Sequence, residues 1–101
     1  MKNEVILDSI VGVIRGVKEP EKIVLFGSRA SGDASETSDI DIAIFGKDWT
    51  DKDLNGARHL LEEEVQTPLK FDLINFYAVS NLRLKKNIET TGRVLYESGK
   101  D

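Results

Sequence analysis

The segment that most constrains the fold of this 101-residue chain is Asp-Ile-Asp-Ile-Ala-Ile-Phe, from Asp39 to Phe45. Side chains alternate between two faces along a β-strand, so the three isoleucines share one face, and Asp39, Asp41 and Ala43 share the other. Aspartate is depleted in strands, and two aspartates on one face repel each other unless a cation lies between them. The segment therefore predicts a buried strand that presents a pair of carboxylates.

Several helices are predicted around this strand. Apolar residues at helical spacing predict an amphipathic helix at 3–17. Thr50 and Asp53 have the spacing of a capping box and open a helix that ends before Pro68. A short helix is expected at 28–31, and Ser80 is expected to cap a further helix that ends near residue 90.

Short apolar runs bounded by turn residues predict three more strands, at 23–26, 71–76 and 93–96. Helices and strands thus alternate along the chain. We expect an α+β domain with α/β-like element order, in which helices cover a mixed sheet of about four strands. At this length the chain should form a single domain, residues 1–101.

Composition excludes several classes of function. The chain contains no cysteine, which rules out disulfides and cysteine-ligated metals and fits a reducing compartment, so we expect a cytoplasmic protein. No run approaches the ~20 apolar residues of a membrane span, and no membrane association is expected. The net charge of −4 and pI near 5.0 disfavour binding to duplex nucleic acid.

Asp72 is a single acidic residue in the apolar run that predicts the third strand. An unpaired buried carboxylate would cost several kcal/mol or acquire a raised pKa, so a neighbouring strand could bring Asp72 beside Asp41. Alternatively, Asp72 pairs with Lys70 or Arg93 on an exposed strand face. Three carboxylates on adjacent strands form a ligand set for two metal ions ~3.5–4 Å apart, and Mg²⁺ prefers such oxygen ligands.

The strand predicted at 23–26 is followed by Gly27, Ser28 and Arg29. Glycine at a strand-to-helix turn permits close approach of the backbone, and the next helix N-terminus offers amide groups to an anion. Ser28 adds a hydroxyl donor. Arg29 either supplies a positive charge to a phosphate group or is an ordinary exposed arginine.

Gly27-Ser28, ten intervening residues, Asp39 and Asp41 in an Asp-x-Asp motif, and Asp72 in a later strand resemble the signature of the polymerase-beta-type nucleotidyltransferase superfamily. More closely, nearly all of the chain resembles the minimal nucleotidyltransferase family. The resemblance implies the nucleotidyltransferase fold and an ATP substrate whose phosphates lie on the Gly27-Ser28 turn. It also implies two Mg²⁺ ions on the three aspartates, and attack of an acceptor hydroxyl on the α-phosphorus with loss of pyrophosphate.

The same resemblance implies a partner. Minimal nucleotidyltransferases typically pair with a small all-helical HEPN protein in a toxin–antitoxin couple, in which the nucleotidyltransferase silences the HEPN ribonuclease by binding it and by adenylylating a tyrosine. Because a chain of 101 residues leaves no second domain for an acceptor, we expect the acceptor to be this partner protein, in a hetero-oligomer.

Two alternatives remain open from the sequence. Many relatives carry a second basic residue where this chain has Ser31, which favours a degenerate transferase that neutralises its partner by contact alone. The second alternative is transfer to a hydroxyl of a small molecule such as an aminoglycoside. The absence of an acceptor-binding domain argues against that second alternative.

Overall fold

The computed structural model describes residues 2–27, 40–65 and 70–99, without the side chains of residues 2–4. Four residues of the predicted motifs, Ser28, Arg29, Ser31 and Asp39, lie outside the described residues, as does the short helix predicted at 28–31.

The described residues form four strands in one sheet, in the order β3-β2-β1-β4. The strands are β1 (Lys22–Phe26), β2 (Ile40–Phe45), β3 (Phe71–Asn75) and β4 (Arg93–Glu97). β1 runs antiparallel to both β2 and β4, whereas β2 and β3 are parallel. The predicted mixed sheet of about four strands is confirmed.

Three α-helices are described, together with a 3₁₀ turn at Phe76–Ala78. The helices are α1 (Lys2–Val17), α2 (Asp51–Glu64) and α3 (Leu82–Thr91). The capping box of α2 is present as predicted, since Asp53 N donates to Thr50 Oγ1 at 3.2 Å and Thr50 N donates to the Asp53 carboxylate at 2.9 Å. No helix in these described ranges combines the length and apolar character that a membrane span requires.

The predicted cap of α3 is wrong by one residue. Asn81, not Ser80, is the N-cap, and its Oδ1 accepts a hydrogen bond from Leu84 N at 3.1 Å. Serine and asparagine are both good caps, so the choice depends on where the helix begins. Because α3 begins at Leu82, the residue directly before it is the one placed to cap the first turn.

The two faces of the sheet bury separate apolar clusters. On one face, termed the α1–α2 face, the isoleucines of β2 pack with residues of α1 and α2. On the other, termed the α3 face, Ala43 and Phe45 of β2 pack with Phe26, Phe76 and Ile88. The alternation predicted for β2 is therefore confirmed, and it assigns the side chain of Asp41 to the α3 face.

A buried asparagine joins β3 to the loop between β2 and α2. Asn75 is 7% exposed, and its amide nitrogen donates to Gly46 O at 2.7 Å and to Trp49 O at 3.0 Å. Its oxygen accepts from Tyr77 N at 3.2 Å. A Cβ at Gly46 would lie 2.0 Å from the ring of Trp49, so this loop packs tightly only with glycine at that position.

Candidate functional site

Asp41 and Asp72 lie side by side on neighbouring strands. In the parallel register of β2 and β3, Asp41 is the direct partner of Asp72. Partners in register point to the same side of a sheet, so both carboxylates belong to the α3 face. The structure thus brings together two of the three aspartates that the sequence singled out.

The exposure of Asp72 differs from the prediction. Asp72 is exposed and Asp41 is half-buried, so the argument that Asp72 is a costly buried carboxylate was wrong. β3 lies at the edge of the sheet, and α3 packs mainly over β1, so the start of β3 stays open to solvent. Among the described residues, no salt bridge joins Asp72 to Lys70 or Arg93.

Gly27 directly follows β1 and lies beside Asp41. It has a φ of +79°, a conformation that side chains other than glycine rarely adopt. A Cβ at this position would lie 2.4 Å from Asp41 Oδ2, closer than any real contact. The positive φ therefore favours glycine at this turn, and a larger residue would also displace the carboxylate of Asp41.

The pairing of strands explains this contact. Phe26, the last residue of β1, is the antiparallel partner of Asp41, so the chain leaves β1 directly beside the Asp41 carboxylate. The sequence predicted a phosphate-holding turn at Gly27. The close approach of Gly27 to Asp41 was not predicted, because it depends on the register of β1 and β2.

The carboxylate pair fits a magnesium ion by its chemistry. Two carboxylates in register, one half-buried and one exposed, offer hard oxygen ligands that a hydrated cation can reach from solvent. Within the part of the chain that the structure describes, no group of three histidine, cysteine or acidic side chains is arranged to hold a metal. Asp39, the third predicted ligand beside Asp41 and Asp72, lies outside those residues.

His59, the only histidine of the chain, lies away from this pair. It is exposed on α2, where its Nε2 lies 2.9 Å from a carboxylate oxygen of Glu63 one helical turn later. This arrangement agrees with the surface role expected for His59 from the sequence.

Several solved structures have a similar fold. A toxin–antitoxin complex, MntA–HpeT, that carries two aspartate-to-glutamate substitutions matches with a TM-score of 0.76 and 20% identity, over 92% of this chain and 74% of that chain. A toxin–antitoxin with AMP-PNP matches with a TM-score of 0.76 and 21% identity, over the same shares of the two chains. The complex of a tri-AMPylated Shewanella oneidensis HEPN toxin with an MNT antitoxin matches with a TM-score of 0.74 and 21% identity, over 97% of this chain and 74% of that chain.

Identities near 20% establish the similarity of fold, and the nucleotidyltransferase fold predicted from the sequence is confirmed. A comparison with curated protein sequences gave no match. The family described as "Polymerase beta, Nucleotidyltransferase" matches residues 8–101, which is nearly the whole chain. The chain therefore belongs to the polymerase-beta nucleotidyltransferase family.

Proposed function

We propose that this protein is a magnesium-dependent nucleotidyltransferase that transfers AMP from ATP to a hydroxyl group, most specifically a tyrosine, of a small all-helical HEPN-type partner, and so acts as an antitoxin. The observation that carries the proposal is the direct pairing of Asp41 with Asp72 beside the positive-φ turn at Gly27. This arrangement supplies two acidic side chains and a backbone turn at one end of three neighbouring strands.

The aspartates have separate roles in this proposal. Asp41 and Asp39 would hold two magnesium ions, and Asp72 would hold one of them and would orient or deprotonate the attacking hydroxyl. Bound magnesium neutralises phosphate charge and so stabilises the transition state of phosphoryl transfer. The exposure of Asp72 suits its role, since the acceptor hydroxyl must reach it from outside the chain.

The turn at Gly27 holds the phosphates of the nucleotide, with Ser28 and Arg29 as the adjacent donor and positive charge. A backbone without a Cβ lets a phosphate approach the amide groups closely. Carboxylate and phosphate repel each other, so a cation between them would favour the binding of a triphosphate beside these aspartates.

Support for the partner comes from the solved structures of similar fold. One is described as a toxin–antitoxin with AMP-PNP, a nucleotide, and another as an AMPylated HEPN toxin with an MNT antitoxin. The open edge of the sheet at Asp72 is compatible with an acceptor on a separate protein, bound in a hetero-oligomer.

The test is transfer of labelled AMP from ATP to a copurified all-helical partner in the presence of Mg²⁺, followed by mass spectrometry of the partner. The variants Asp41→Asn and Asp72→Asn should each abolish the added AMP, and chelation of the metal should do the same. Asp8→Asn, an exposed aspartate of α1, is the matched control and should leave transfer intact. An unmodified partner that is still neutralised by the wild-type chain would show contact-only inhibition and refute the transferase.

A further inference from the structure

Lys70 directly precedes β3 and is held in line with the sheet. Its carbonyl oxygen accepts a hydrogen bond from Ile40 N at 2.9 Å, so the parallel pairing of β2 and β3 extends one residue back from Phe71. Phe71 is 4% exposed and packs on the α1–α2 face. The residues on either side of it in an extended chain point to the opposite face. Lys70 and Asp72 therefore share the α3 face.

The ammonium group of Lys70 is open to a ligand. Lys70 and Asp72 are both exposed, and two residues along an extended chain correspond to a separation of about 6.5 Å. Within the part of the chain that the structure describes, no hydrogen bond or salt bridge joins the Lys70 side chain to Asp72 or to another side chain. A positive charge thus lies beside the proposed site without pairing with its carboxylates.

Two other lysines of the α3 face are placed elsewhere. Lys22 Nζ lies 4.9 Å from the centre of the Phe45 ring, and Lys85 Nζ lies 5.3 Å from the centre of the Phe76 ring. These rings stack on each other at the end of the sheet where Lys22 pairs with Phe45. The paired carboxylates lie at the other end of β2, so Lys70 is the one of these three lysines that lies at the site.

The order of the strands places Lys70 on a particular side of the site. β2, which carries Asp41, lies between β1 and β3. Gly27 follows β1 and Lys70 precedes β3, so two strand spacings, roughly 10 Å, separate them. The proposed function places the phosphates at Gly27 and the acceptor hydroxyl at Asp72. Lys70 consequently lies on the side from which the acceptor approaches the α-phosphorus.

We propose that Lys70 is a catalytic residue of the transfer, whose ammonium group contacts the acceptor oxygen and favours its deprotonation. This inference rests on the proposed function. In the transfer, the acceptor hydroxyl gives its proton to Asp72 and its oxygen forms a bond to the α-phosphorus, while the bond from the α-phosphorus to pyrophosphate breaks. A positive charge beside the oxygen stabilises the negative charge that develops as the proton leaves. The contact is with the acceptor, so the binding of the nucleotide does not depend on it.

The experiment compares Lys70→Met and Lys70→Arg with wild type. Transfer of labelled AMP to the copurified all-helical partner gives kcat and the KM for the partner, and calorimetry in Mg²⁺ gives the Kd for AMP-PNP. Lys70→Met should lower kcat about 10- to 100-fold, the effect of one lost charged hydrogen bond, and should leave the Kd for AMP-PNP within about twofold of wild type. Lys70→Arg keeps the charge and should restore kcat to within about tenfold of wild type.

The matched control is Lys52→Met, which removes an exposed lysine of α2. It should transfer AMP and bind AMP-PNP as wild type does. A reduced kcat in Lys70→Met with the same loss in Lys70→Arg would overturn the inference, because the charge would then not be the property that matters.

The remaining outcomes separate this inference from the proposed function. Wild-type kcat in Lys70→Met, with or without a raised KM for the partner, would refute the catalytic role of Lys70, while transfer that depends on Asp41 would still stand. A parallel loss of AMP-PNP affinity would also refute it, because Lys70 would then act on the nucleotide. A wild-type chain that transfers no AMP would refute both proposals.

Discussion

Asp41 on β2 and Asp72 on β3 are direct partners in a parallel strand pair, although helix α2 lies between them in the sequence. Two carboxylates in register repel each other unless a cation joins them. This pairing is the observation on which the proposed metal-dependent site rests.

Removal of one carboxylate should lower nucleotide transfer without lowering the stability of the fold. We expect Asp72→Asn to lower nucleotide transfer by about a hundredfold or more, because the loss of a charged ligand weakens electrostatic stabilisation of the transition state. Because Asp72 is exposed, the free energy of unfolding of the Asp72→Asn protein, measured in EDTA, should stay within about 0.5 kcal/mol of the wild-type value. It could also rise slightly, because the repulsion between Asp72 and Asp41 is relieved. Transfer assays and urea denaturation measure the two effects, and a large loss of stability would contradict this account of Asp72.

Substitution of Gly27 should damage the fold and the site together. Gly27→Ala places a Cβ 2.4 Å from Asp41 Oδ2 at a φ of +79°, so we expect a loss of about 1–2 kcal/mol in the free energy of unfolding and reduced transfer. Gly12→Ala is the matched control, because a Cβ there meets no atom within 4 Å on a helix. The control should gain about 0.5–1 kcal/mol. Equal effects of the two substitutions would be inconsistent with the proposed crowding.

The buried amide of Asn75 should be essential for stability. Asn75→Leu removes both donors to Gly46 O and Trp49 O and leaves these carbonyls buried without that partner. We expect a loss of about 2–5 kcal/mol in thermal or denaturant unfolding. Asn55→Ala, an exposed asparagine of α2, is the control and should change stability by less than about 0.5 kcal/mol. A mild effect of Asn75→Leu would mean that the loop repacks around the missing amide.

Stability should depend on acid pH through Asp53. Hydrogen bonds from Lys18 Nζ at 2.8 Å and from the Thr50 backbone lower the pKa of Asp53 from 3.8 to about 2. Because the folded-state pKa is the lower one, this carboxylate stabilises the fold above pH 3.8, and the contribution is lost as the pH falls through about 2. Asp53→Asn should therefore flatten the decrease in unfolding free energy across this range.

The control for this pH dependence is Asp51→Asn in the same helical turn, which leaves the contact between Lys18 and Asp53 in place. The unfolding free energy of this control should depend on acid pH as that of wild type does. An acid profile unaffected by Asp53→Asn would show that other carboxylates control the transition.

At alkaline pH, the hydrogen bond to Asp53 raises the pKa of Lys18 above its usual 10.5. The stabilisation of the fold by charged Lys18 is therefore present below pH 10.5 and is lost as the pH rises through the raised pKa.

The sequence alone determined the local features of this protein. The alternation of β2, the amphipathic character of α1 and the capping box at Thr50 and Asp53 follow from side-chain periodicity and local hydrogen bonds, which act over a few residues. The sequence also predicted a turn at Gly27, and the structure shows that this turn uses a φ of +79°, which favours glycine.

Only the tertiary structure decided how the strands and their functional side chains are placed relative to one another. The register of two parallel strands placed Asp72 beside Asp41, and the position of β3 at the sheet edge left Asp72 exposed where a buried acid was expected. The contact between Gly27 and Asp41 also depends on the register of β1 and β2. Register and packing arise from backbone hydrogen bonds and apolar contacts between residues far apart in the chain, which no local pattern encodes.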